Sequence, residues 1–357
     1  MRYGLLTILN SAFARSIYLV KSTWIRWRAI RFILWNLAMI GAMLGIAMAQ
    51  EDTDTDTQSK GADLLSNWNL ALPTMGGKQL WTDHRYWNGW RIQYNCIFGH
   101  YRLLDPKAIR RAWGTKQGVL DELSRVQQSS DPNPEPSTEV VILMHGLMRT
   151  SSCMKPLATE IRNRRQPAPE IIYFNYASSR DSVASHAAAF RELMENLPGK
   201  PRWKAVGHSL GNIVLRAAIA HWQNDGDPAG CLERLDRVVM LGPPNQGSSF
   251  ARKLSQLGLF ETVTGTSGMQ LGPKWSDFQS HLGVPPCPFA VIAGDISKHP
   301  VGNPLLPGAS DGIVTVEETK LDGMTQFIVH PVVHAFLMQD DRCVSDAIDF
   351  LYEKEPQ

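Results

Sequence analysis

The chain is poor in the residues that build metal and disulfide frameworks. Its 357 residues include five cysteines, at positions 96, 153, 231, 287 and 343. None sits in a CxxC pair or at zinc-ligand spacing, and the odd number excludes complete disulfide pairing. Free, buried thiols are the expected state for most of them. No internal repeat is visible. Acidic residues are missing from the first 49 positions, which carry Arg2, Arg15, Lys21, Arg26, Arg28 and Arg31. Without that segment, 30 basic residues face 34 acidic ones, a net charge of −4. The formal +2 of the whole chain therefore belongs to the N-terminus, and no basic patch suggests a nucleic-acid partner.

What is present begins with an uncharged run of 18 residues, Phe32 to Ala49. A basic lead, an apolar stretch and Ala47-Met48-Ala49 before Gln50 form the layout of an export signal. The run is also just long enough to span a bilayer, with the basic flank left in the cytoplasm. Residues 1–49 are therefore a cleaved signal or a membrane anchor. The Ala-x-Ala favours removal, and the long basic lead favours anchoring. Either way the remainder is expected outside the cytoplasm, periplasmic or extracellular. Residues 50–63 read as an acidic flexible linker.

Residues 64–128 form a Trp-rich extension, with Trp68, Trp81, Trp87, Trp90 and Trp113. Asn88-Gly89 marks a tight hairpin turn. After it, Trp90, Ile92, Tyr94, Cys96 and Phe98 alternate with polar residues, as in a half-buried strand. A hairpin over residues 78–98 is expected to extend the main sheet or cap its edge. Its aromatics suit packing better than a sugar platform. Residues 106–127 read as a helix with a weak point at Gly114. Residues 129–138 (SSDPNPEPST) are a Pro-rich linker, and a second domain over 139–357 follows.

From residue 139 strands and helices alternate. Strands are expected at 139–144, 171–176, 203–207, 237–241, 289–293 and 326–330. Helices are expected at 152–164, 182–197, 210–222 and 344–352. Continuous apolar strands between amphipathic helices imply an α/β fold with a doubly wound, mostly parallel sheet. Ligands bind such sheets beyond the carboxyl ends of the strands.

Gly207-His208-Ser209-Leu210-Gly211 joins the 203–207 strand to the following helix. A strand–turn–helix of this form holds its central residue at a strained angle with the side chain projecting. Glycines two before and two after leave room for the turn. A serine hydroxyl becomes nucleophilic only with an adjacent base, itself oriented by an acid. In this topology the chain order is Ser, acid, His. His334, four residues beyond the last strand, is the candidate base. His330 ends that strand and is expected to pack, and His281 and His299 have no matching position. Two acids follow the 289–293 strand, Asp295 directly and Asp311 in a longer loop. Asp311 is preferred because its loop can reach over to the histidine, with Asp295 as the alternative. A developing oxyanion needs two fixed donors. The N–H groups of Leu210 and of Leu147, after His145-Gly146, are the candidates. His145 is expected to hold its loop and His208 to pack below the elbow. Neither has metal-ligand spacing, so no metal is implied.

The segments VVILMHGL, VGHSLGN, LGPPNQGS, SDGIV and HAFLM, in this order, resemble α/β-hydrolases of the bacterial lipase and esterase kind. The resemblance spans residues 139–352, about the C-terminal 60% of the chain. It implies a Ser209–Asp311–His334 triad, an acyl-serine intermediate, an ester substrate of lipidic or apolar acyl type, and no cofactor. Thioesterase and acyltransferase activities use the same machinery, and a catalytically silent binding protein on this fold is the alternative of another class. The stretch 254–286 replaces a simple crossover helix. In lipase-like proteins such an insertion forms an acyl pocket or lid; an ordinary loop with a small core of its own is the other expectation.

Overall fold

The computed structural model describes residues 77–130, 136–255, 260–299, 303 and 306–352. The export segment, the acidic linker, Trp68 and residues 131–135 of the Pro-rich linker lie outside the described residues. Among the described residues no helix is long and apolar enough to cross a membrane.

The large sheet has six parallel strands. They are β5 (Glu139–Met144), β6 (Glu170–Phe174), β7 (Arg202–His208), β8 (Leu235–Leu241), β9 (Phe289–Gly294) and β10 (Gln326–His330), in spatial order β10-β9-β8-β7-β5-β6. Alternate residues face opposite sides. Val140, Ile142 and Met144 of β5 point with Trp203 and Ala205 of β7 toward α3 (Val183–Glu195) and α4 (Leu210–Asp225). Val141 and Leu143 point with Val206 and Ile292 toward α2 (Lys155–Arg164) and α7 (Asp341–Tyr352). Both faces are covered, which is why these strands are apolar throughout rather than alternating. The chain leaves β5 for β6 on one side and returns to β7 on the other. The crevice at that reversal is where open parallel sheets place their ligands. Ser209 follows β7 at this crevice.

The Trp-rich region forms a second sheet, a four-stranded antiparallel meander. Its strands are β1 (Trp81–Trp87), β2 (Trp90–Asn95), β3 (Tyr101–Leu104) and β4 (Arg110–Gly114). Asn88 and Gly89 both have positive φ, 45° and 84°, as a two-residue hairpin turn requires. The helix expected over 106–127 is corrected here. Residues 110–114 pair with β3, Leu103 opposite Ala112, and the helix α1 (Lys116–Ser129) starts only after Thr115, whose side chain accepts from Gly118 N. Pairing with β3 overrides the weak helical pattern of this charged stretch. Trp87, Ile92 and Leu103 pack on Val119 and Leu123 of α1 as a small separate core.

Two polar hubs join the meander to the large sheet. Asp83 on β1 is fully buried. Its carboxylate accepts from Arg91 Nη1 and Gln93 Nε2, each at 2.6 Å, and from both N and Nδ2 of Asn175 at 2.9 Å. Asp83 N donates in return to Asn175 O at 2.9 Å, just past the end of β6. The meander thus caps the β6 edge instead of adding a strand to it. Glu192 on α3 accepts from His84, Arg85 and Lys116. Burial pushes its carboxyl up, but hydrogen bonds from His84 and Lys116, with the neighbouring charges, outweigh that and hold it at about 2.

The segment after β8 contributes α5 (Ser249–Ser255) and α6 (Phe260–Leu271), the latter interrupted at Gly265 with φ 64°. Gly265 lies against the backbone oxygen of Ser179, where a Cβ would come within 2.0 Å. Ser267 Oγ donates to Asp181 O at 2.8 Å, and Gln270 Oε1 accepts from Val183 N at 2.9 Å. The insertion is fastened to the loop after β6, and Leu271, Trp275 and Phe278 join the large core rather than making a separate one.

Candidate active site

Ser209 sits between β7 and α4 at φ 52°, ψ −119°, a conformation that costs a non-glycine residue on the order of 1–3 kcal/mol. The fold over-determines it. Ser209 N donates to Leu241 O on β8 at 2.9 Å, and Ser209 O accepts from Asn212 N at 3.1 Å. The flanking glycines are required sterically. A Cβ at Gly207 would lie 2.2 Å from Asn212 Oδ1, and one at Gly211 would lie 2.8 Å from Met144 O. Leu210 is the first residue of α4, so no intrahelical carbonyl can take up its N–H.

The loop after β5 lies beside the elbow. A Cβ at Gly146 would be 3.2 Å from Ser209 Cβ, so the backbone passes directly against the serine. Leu147 follows, half-buried, and Met148 has φ 57° with its N–H donating to Ser178 Oγ at 3.1 Å. His145 anchors this loop from below. Its ring stacks on Tyr176 at 4.2 Å between centroids, its Nδ1 pairs with Gly146 O at 2.9 Å, and its own carbonyl accepts from Tyr176 Oη. Burial lowers the His145 pKa to about 4.

His334 opens a single turn, His334–Phe336, after β10. Its Nδ1 is 2.6 Å from Asp311 Oδ2, and its N–H donates to Asp311 O at 3.0 Å. Asp311 is fully buried, and its other carboxylate oxygen accepts from Ile313 N at 2.9 Å and Val314 N at 2.8 Å. Asp295 lies elsewhere. Its Oδ1 accepts from Ser297 N at 2.8 Å, and its N–H bonds to His330 O, so it starts the loop rather than meeting the histidine. Gly294, at the end of β9, lets this loop close: a Cβ there would lie 2.2 Å from Val332 O and 2.6 Å from Asp311 Cβ.

His208 packs below the elbow and also touches His334. Its Nε2 donates to His334 O at 3.0 Å, and the two rings are 4.8 Å apart. Burial first, then the neighbouring His334, pushes its pKa well down, so the ring is neutral. His330 pairs with Asp346 of α7 at 2.6 Å, and His281 stacks on Phe278. Neither approaches Ser209 through these contacts. Among the described residues no three His, Cys, Asp or Glu side chains converge as a metal site would require. Sequence reasoning missed Asn212, Tyr176, Ser178 and Gly294. Asn212, in the first turn of the helix after the elbow, and Gly294, at the end of β9, carry a positional signal; Tyr176 and Ser178 carry none.

No known family model matches the chain, and no curated protein sequence does. Solved structures resemble it at low identity. The mature lipase BlEst2 of Bacillus licheniformis is 16% identical over 62% of this chain and 96% of its own, with a TM-score of 0.48. Phospholipase PlaB of Legionella pneumophila is 18% identical over 61% of this chain, with a TM-score of 0.48. The match spans 60% of PlaB. A metagenomic carboxyl esterase is 15% identical over 62% of this chain and 74% of its own, at 0.43. The observed fold, a six-stranded parallel sheet with helices on both faces and Ser209 at a strand–helix turn, is the doubly wound α/β class expected from the sequence.

The buried histidines make stability pH-dependent. His145 ionises near 4 in the folded chain against about 6.5 when unfolded. As pH falls below 6.5 the unfolded form takes up the proton first, so this contribution is complete above 6.5 and is lost toward pH 4. The slope from His145 alone is at most about 1.4 kcal/mol per pH unit. His186, buried beside Tyr176, and His208 shift in the same direction. Urea unfolding at pH 7.5 and pH 5 should show a clear loss of stability at the lower value. His145→Gln should flatten that difference, and an unchanged stability between the two pH values would contradict it.

Proposed function

We propose that this protein is a serine hydrolase that cleaves carboxylic esters through an acyl-serine intermediate. The observation that carries this is the 2.6 Å pair of His334 Nδ1 with the buried Asp311 carboxylate, beside a serine held at a strained elbow. Asp311 fixes the tautomer whose Nε2 is free to take the Ser209 proton. Ser209 Oγ then attacks the ester carbonyl, and the N–H groups of Leu147 and Leu210 receive the negative charge on its oxygen. His334 returns the proton to the departing alcohol. Water, activated by the same histidine, releases the acid and restores the serine. The side chains supply every proton transfer.

A lipidic or other apolar acyl group is the proposed substrate, with the 254–286 insertion as one wall of the acyl site. Thioester cleavage and acyl transfer would run through the same steps. The catalytic part is proposed to work outside the cytoplasm, delivered or held by residues 1–49. The test is a fluorophosphonate probe on the full chain, with the adduct mapped by peptide mass. An adduct on the Ser209 peptide is expected, and an unlabelled protein would refute the reading. A panel of esters of increasing acyl length then defines the acyl class. A compartment-sensitive reporter fused at the C-terminus reads localisation, and activity confined to the cytoplasm would refute export.

A further inference from the structure

Three large apolar side chains stand in water at one end of the meander. Phe98 is 73% exposed, Trp113 57% and Ile97 55%. Single exposed apolar residues need no explanation, but these belong to one cluster. The His100 ring lies 6.2 Å from Phe98 and 5.7 Å from Trp113, and buried Trp81 backs it at 5.2 Å. The turn that presents them is fixed. Asn95 Oδ1 accepts from Ile97 N at 3.0 Å and Phe98 N at 2.9 Å, and Gly99 N donates to Asn95 O at 3.0 Å.

This tip is on the same end of the molecule as the catalytic crevice. Beside it, Cys96 N donates to Leu80 O at 3.2 Å. The adjacent Gln79 Nε2 donates to Met148 O at 3.3 Å. Met148 is two residues beyond Gly146, which passes against Ser209. The described chain also starts here, at Gly77, 28 positions after the apolar run that ends at Ala49.

We propose that this tip seats the protein on a phospholipid bilayer surface, with Ile97, Phe98 and Trp113 entering the headgroup region. The proposal rests on the ester-hydrolase reading for what docking achieves, the delivery of a lipidic ester to the crevice; docking itself stands on the tip. Tryptophan favours the boundary between headgroups and acyl chains. The Arg110 guanidinium lies 5.8 Å from the Trp113 ring centre, which places a positive charge beside the tryptophan. The sequence upstream of the tip also carries an uncharged apolar run, Phe32 to Ala49, of the length that a bilayer requires.

The test uses the full chain on phosphatidylcholine–phosphatidylglycerol vesicles. Phe98 is replaced by p-benzoylphenylalanine, irradiated, and the adducts are mapped. Val284, 38% exposed ahead of β9 at the opposite end of the sheet, carries the same group as a control. A lipid adduct at 98 and none at 284 is expected. Trp113→Asp and Ile97→Asp should each lower adduct yield about tenfold, the effect of losing one inserted apolar side chain. Vesicle-bound protein without a lipid adduct at 98 would overturn the proposal, as would protein that stays off the vesicles. A protein–protein adduct at 98 would overturn it in favour of a second copy of the chain. Phe98→Asp should lose at least tenfold on vesicle-borne ester and keep its rate on a soluble short-chain ester. If the unaltered protein hydrolyses neither ester, the hydrolase reading fails while the adduct still decides docking.

Discussion

Ser209→Ala is expected to abolish fluorophosphonate labelling and to cut ester turnover by on the order of 10⁶, the scale seen when such a nucleophile is removed. The hydroxyl is the only atom lost, and the side chain is at the surface of the crevice with 8% exposure. Stability should hardly change, because alanine and serine bear the same strain at φ 52°. Ser209→Gly separates the two properties. Glycine adopts positive φ without cost, so this variant should be equally inactive yet more stable by about 1 kcal/mol. Activity and melting temperature measured on both variants check this. Persistent labelling of Ser209→Ala would mean that the elbow serine is not the nucleophile, and a destabilised Ser209→Gly would mean that it is not strained.

Asp311→Asn should lower turnover by about 10⁴ while leaving apparent substrate affinity nearly unchanged. The amide is close in shape to the carboxylate, so the bonds from Ile313 N and Val314 N can survive on its oxygen. The group facing His334 Nδ1 can then become an NH₂ donor, which favours the tautomer whose Nε2 carries the proton and cannot accept another. An imidazolium formed during acylation also loses its negative partner. Asp295→Asn removes a charge from a loop-opening contact to Ser297 and should change turnover only mildly. Steady-state kinetics on both variants decide the matter. Near-normal turnover in Asp311→Asn would remove it from the mechanism.

The parallel strands were legible because burial on both faces leaves an unbroken apolar run, and the elbow because its glycines answer a steric demand. Residues 110–114 were not: five residues with two arginines show no strand period, and pairing with β3 decides their state. The partner of His334 was open in the sequence, since Asp295 and Asp311 both follow β9. The long loop settles the geometry, folding back so that Asp311 N bonds to Val314 O and His334 N to Asp311 O. The bond from His208 to the carbonyl of His334 links positions 126 apart, and no local pattern could signal it. Charge and hydropathy placed the Pro-rich stretch between two regions but could not show what binds them together.

That binding falls on Asp83, which holds the end of β6 through both the backbone and the side chain of Asn175. The change of composition near residue 130 is therefore not a seam. A chain cut there would leave the Asn175 amide groups and Asp83 N to water and strip Arg91 of its bond to Tyr173 O. The meander could not have been gained or exchanged as a loose cassette without this contact being rebuilt at once. In relatives of this chain, Asp83 and Asn175 should therefore be inherited as a pair, and a lineage that lost one would be expected to have lost the other.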